Sequence, residues 1–146
     1  VGDRVSGLTL SEIREALAST IRNNVNRQVT VRAYPPGVDG PSVLIEPASD
    51  YVDYHLSFGS AGLAAVRFVV TVDPGGTEAE SAAIRLDDFC SVGTGNGSSI
   101  VDAIQSDRTI GLVGCDVFVE SIEVDVNTIT AQFRVTVNIS KIGARV

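Results

Sequence analysis

Toward the C-terminal end, Ile129, Ala131, Phe133, Val135, Val137 and Ile139 are apolar at every second position, with Thr130, Gln132, Arg134, Thr136, Asn138 and Ser140 between them. Only an extended strand returns alternate side chains to one face, so this segment predicts a long strand with one side in a core. The strand before it is less regular. Cys115, Val117 and Val119 hold one parity, and Ile122, Val124 and Val126 hold the other. An apolar face survives that change only if one extra residue is absorbed, which predicts a β-bulge near Glu120-Ser121. A tight turn through Asn127-Thr128 joins the two strands.

Upstream, Thr9 and Glu12 have the spacing of a capping box, and Leu10, Ile13, Leu17 and Ile21 fall on one helical face, so a helix is expected to end near Asn23 to Asn26. Val29, Val31 and Ala33 alternate as a half-buried strand does until Pro35-Pro36-Gly37 stops it. A short strand from Ser42 to Glu46 precedes the turn-rich Pro47-Ala48-Ser49-Asp50. From Tyr51, alternation predicts Val52, Tyr54, Leu56 and Phe58 on one face and Tyr51, Asp53, His55 and Ser57 on the other. Gly59-Ser60-Ala61-Gly62 reads as a hairpin tip, and Leu63 to Val72 as the antiparallel return strand. Asp73-Pro74-Gly75-Gly76 ends it. Thr77 to Glu80 then reads as a second capping box, opening a helix with Ala79, Ala82, Ala83, Leu86, Phe89 and Cys90 on its apolar face.

At 146 residues and 44% hydrophobic content, the chain predicts a single domain over residues 1–146 with its own core. No apolar run approaches the roughly 20 residues that cross a bilayer, and no signal-peptide pattern opens the chain, which predicts a soluble protein made in the cytoplasm. The formal net charge of −7 argues against binding nucleic acid through its phosphates. Cys90 and Cys115 lack neighbours for a metal site and read as buried free thiols.

Signals of chemistry are weak. The glycine turn Val92-Gly93-Thr94-Gly95-Asn96-Gly97 resembles a phosphate loop, but Gly97 is followed by Ser98 and Ser99 rather than by the lysine that reaches terminal phosphates. It reads instead as a loop before a short helix, Ser99 to Gln105, capped by Ser98 or Ser99 and favoured by Asp102 in its first turn. The lone His55 has no nucleophile or orienting group in a recognisable pattern. Asp87 and Asp88 diverge on adjacent helical positions, and Asp73, Glu78 and Glu80 lack the spacing of a calcium loop. No cofactor, metal or catalytic residue is assigned.

The order of these elements resembles the tail terminator, or tail completion, proteins of long-tailed bacteriophages. The resemblance rests on the helix from Leu8 to Ile21, the strand from Val31 into Pro35-Pro36, Tyr51 and Tyr54, a helix after aspartate-proline-glycine, then Gly95 to Gln105, Asp107, Gly111 and the two final strands. The chain departs from the family pattern with Ile110-Gly111-Leu112, where paired glycines are common. The fold expected is α+β: a mostly antiparallel sheet of about five to six strands packed by an N-terminal helix and two further helices. The resemblance implies a non-enzymatic virion protein that forms a hexameric ring at the top of the tail tube, with the tube protein and a head-completion or stopper protein as partners. Such a subunit assembles in the host cytoplasm, stops tube growth, and lets DNA pass without specific binding. The alternatives are a connector or stopper of the same neck and a small enzyme using His55. Because the apolar face from Ile129 to Ile139 is committed to the core, the partner interface is expected on Tyr51, Asp53, His55, Gly59 and Ser60 of the first hairpin, and on Gly93, Gly95, Asn96 and Gly97.

Overall fold

Thr9 opens the first helix, α1 (Leu10–Asn24), through the reciprocal bonds that its sequence predicts. The Thr9 hydroxyl accepts the Glu12 N–H at 3.0 Å, and the Glu12 carboxylate accepts the Thr9 N–H at 2.9 Å. Ile13, Leu17 and Ile21 are fully buried along one face. This computed structural model describes residues 9–25, 29–35, 41–53, 64–76, 78–93, 99–112 and 114–139. The remaining elements are β1 (Thr30–Arg32), β2 (Ser42–Asp53), β3 (Ala64–Asp73), α2 (Ala79–Cys90), α3 (Ile100–Gln105), β4 (Cys115–Asp125) and β5 (Thr130–Ile139). Among the described residues no helix is long and apolar enough to cross a membrane.

The strands form one mixed sheet in the order β1-β2-β3-β5-β4, giving an α+β chain. β1 runs parallel to β2, and the other pairs are antiparallel. Parallel pairing needs a connection long enough to return the chain to the same end, whereas β4 and β5 need only the turn after Asp125. Alternation places Val43 and Ile45 of β2, Val66, Phe68, Val70 and Val72 of β3, Val117 of β4 and Phe133, Val135 and Val137 of β5 in a single core. Ile13, Leu17 and Ile21 of α1, Leu86 and Phe89 of α2, and Ile100 and Ile104 of α3 belong to the same cluster. Each fully buried side chain of this size stabilises the fold by about 1.5–3 kcal/mol.

Two local expectations are corrected. Pro47 to Asp50 is not a turn between strands; β2 continues through it to Asp53. Pro47 pairs with Phe68 and Val52 with Val66, so the four residues Ala48 to Tyr51 stand opposite Arg67 alone. The turn-forming composition is spent on a wide bulge inside the strand. The second helix starts at Ala79 with Glu78 as its N-cap and no side-chain cap, and Glu78 instead accepts the Ser81 hydroxyl at 2.9 Å. Ala82, Leu86 and Phe89 are its buried residues, Cys90 is half-buried, and Ala79 and Ala83 face solvent. Thr77 and the hairpin tip from Gly59 to Gly62 lie outside the described residues.

The parity change in β4 is resolved as the sequence predicts. Val119 pairs with Val135 and Ser121 with Arg134, leaving Glu120 as the surplus residue. Beyond it Ile122 and Val124 again share the face of Phe133 and Ala131. The turn at 126–129 has Asn127 and Thr128 at its centre. Both donate backbone N–H groups to the Asp125 carboxylate, at 2.9 and 3.4 Å.

Candidate functional site

The sheet face opposite the core carries a chain of charges that ties the two bulges together. Arg134 of β5 projects there because Phe133 and Val135 point into the core. Its Nε donates to Glu120 Oε1 at 2.9 Å, and its Nη2 donates to Asp50 Oδ2 at 2.6 Å. Glu120 is the surplus residue of β4, and Asp50 lies in the bulge of β2. Asp50 also stands 3.6 Å from Nη1 of Arg67, an ion pair too long for a hydrogen bond, while that nitrogen donates to Asp53 at 3.2 Å. The bonds from Glu120 and then Asp50 hold the Arg134 pKa above its usual range. Side chains of Arg134 and Asp50 are 36% and 48% exposed, so water screens the pair and its contribution is that of a surface network.

Tyr51 departs from the expected polar face. The bulge breaks the alternation, and its ring packs edge-on against Phe68 with centroids 5.5 Å apart, half-buried against the core. Arg14 stands beside it. That buried side chain donates from Nη2 to the Ile45 carbonyl at 2.8 Å and places its guanidinium 4.2 Å from the Tyr34 ring centroid. A charge on the buried face of a helix is costly unless such contacts offset its lost hydration. Burial raises the Tyr51 pKa, and Arg14 acts against it. Asp53 remains on the outer face, where it is paired with Arg67. His55, Gly59, Ser60, Gly95, Asn96 and Gly97 lie outside the described residues.

Gly93 is exposed, with φ of 72°, and its N–H donates to both carboxylate oxygens of Asp102 at 2.9 and 3.0 Å. Asp102 therefore anchors the start of the glycine turn, in addition to lying in the first turn of α3. Of the two serines offered as cap, Ser99 accepts the Asp102 N–H at 3.0 Å. Ile110 has φ of 47° and is 3% exposed, and Gly111 has φ of 77°. The left-handed turn for which paired glycines are suited is thus made with one β-branched residue, at about 1–2 kcal/mol, with its side chain in the core. Asp73 accepts the Gly75 N–H at 2.9 Å, and Arg85 donates to the carbonyls of Pro74 and Gly75, which makes this break a braced turn. Cys115 is buried and its thiol is pushed up to about 11; Cys90 is raised by burial and by Asp87.

The β4–β5 hairpin ends in an exposed apolar step. Val124 is 52% and Val126 79% exposed, beside Glu123 and Asp125. With Gln132 these four residues line an open depression of about 570 Å³. Sequence reasoning assigned the whole β4 pattern to the core and missed this tip; the signal available was that the apolar parity runs past the last residue that pairs with β5. Comparison with protein-family models and with curated proteins finds no match to this chain.

Proposed function

We propose that this chain is a structural subunit of a phage virion, which closes the growing end of a tail tube as a hexameric ring and joins the head-side connector above it. The observation that carries this reading is the long β4–β5 hairpin, stiffened through Arg134 and ending in two exposed valines among carboxylates. Exposed apolar residues grouped at the end of a rigid element suit a contact surface. The order of elements on which the terminator resemblance rests supports this reading. A growing tube offers each ring a surface that invites the next, so length control needs a component that binds this surface and presents a different one above. The charge of −7 suits a lumen through which DNA moves without being held. Asp53, Gly93 and the glycine turn remain the proposed contacts to neighbouring subunits, and the site of action is the virion neck after assembly in the host cytoplasm.

Mixing the purified protein with polymerising tail-tube protein tests the proposal. Tubes are expected to stop lengthening, with a hexameric ring of this chain at one end by electron microscopy. Unchanged growth with no ring bound would count against it.

A further inference from the structure

β4 is the edge of the sheet, and its two halves are treated differently. In the first half the N–H groups that point away from β5 are occupied: Val117 donates to the Arg108 carbonyl at 2.7 Å and Val119 to Gln105 Oε1 at 3.1 Å. The register carries the same alternation past the bulge. Ser121, Glu123 and Asp125 face Arg134, Gln132 and Thr130 as the residues that exchange hydrogen bonds with β5, which turns the backbone groups of Ile122 and Val124 outward. Among the described residues no hydrogen bond covers that outward edge. At the opposite edge of the sheet β1 is only three residues long, and Arg22 caps its Val31 carbonyl at 2.9 Å. One edge is blunted and the other is left open over Ser121 to Asp125.

We infer that this open half of β4 receives an additional strand from another protein, and that the incoming segment is extended, with basic residues alternating with aliphatic ones. The charge pattern selects the partner. Glu123 and Asp125 project on one face, while Ile122 and Val124 present the other. A second copy pairing through the same edge would bring like carboxylates together, which disfavours self-association. Arg67, Arg85, Arg108 and Arg134 already serve partners within the chain. Lysine or arginine on the incoming strand meets the carboxylates, its aliphatic residues cover Val124 and enter the depression lined by Val126, and its main chain supplies the missing hydrogen bonds. The register alone carries this site, whether or not the chain caps a tail tube.

Amide hydrogen exchange read by NMR on the whole chain tests it, with a short peptide alternating lysine and valine as the probe. In the free protein the Ile122 and Val124 amides are expected to exchange fast while Glu123 is slow. The peptide is expected to slow Ile122 and Val124 by about tenfold or more, and a glutamate–valine peptide to leave them unchanged. Val124→Pro removes an outward N–H without touching a bond to β5, and Glu123→Lys reverses a charge while leaving the turn bonds of Asp125 in place. Each is expected to weaken the peptide about tenfold or more while circular dichroism stays that of the folded chain. Slow Ile122 and Val124 amides in the free monomer, a dimer by light scattering in which they are protected, or equal binding of both peptides would each overturn the inference. So would full peptide affinity in the charge-reversed variant.

Discussion

The bulge in β2 and the bulge in β4 interrupt the same sheet at neighbouring levels and solve opposite problems. In β4 a single surplus residue, Glu120, repairs a change of parity so that Ile122 and Val124 stay on the face of Val117 and Val119. In β2 four residues stand where one partner, Arg67, is available, and the surplus redirects side chains: Tyr51 turns to Phe68, and Asp50 reaches outward to Arg134. One bulge preserves a pattern and the other creates contacts. Arg134 holds both, one nitrogen on each.

The comparison breaks most severely at the neighbour of Arg134 in β5. Phe133 is fully buried, and Phe133→Asp places an unpaired charge there, with an expected loss of about 4 kcal/mol or more, enough to unfold the chain in a urea titration. Deleting Glu120 should come next, at about 3 kcal/mol, because it sends Ile122 and Val124 to the wrong face of the sheet. Deleting Ser49, exposed in the wider bulge, should cost only about 1 kcal/mol, since that backbone already departs from the ladder. Equal losses for the two deletions would mean that the bulges play the same role.

Smaller effects sharpen the picture. Arg134→Ala should cost about 1 kcal/mol at low salt and less at high salt, because both its partners are partly exposed and screened. A thermal melt that ignores salt in both proteins would argue that the link is ornamental. Cys115, at the regular end of β4, is the control. Its thiol stays protonated to about pH 11 when folded, so alkylation at pH 8 should reach Cys90 first and Cys115 slowly, unchanged in the Ser49 deletion. The folded thiol holds its proton above the value of 9.0 at which the exposed thiol loses it. This contribution to stability is therefore present below pH 9 and is lost as the pH rises toward 11.

The two bulges also show what a sequence makes legible. Glu120 was visible because Val119 and Ile122 lie on opposite parities, a signal local to one strand. The wider bulge was not: Pro47-Ala48-Ser49-Asp50 has the composition of a turn, and only pairing with β3 keeps it extended. The capped helix α1 and the alternation of β5 were read correctly because each is a periodic pattern with one solution. Contacts between distant segments left no trace of that kind. Asp50 and Arg134 are 84 residues apart, and nothing near Arg14 in the sequence shows that β2 supplies Ile45 and Tyr51 to it and the segment after β1 supplies Tyr34. Among the expected contact residues, the polar-face placement of Tyr51 failed because alternation was extended through a bulge that alternation does not describe.

The proposed ending of tube growth is tested most directly in a lysate of phage lacking this protein. Electron microscopy is expected to show filled heads without tails beside tail tubes extended past their normal length. Free tails of uniform, normal length in that lysate would contradict the claim and assign the chain to the connector or stopper of the neck.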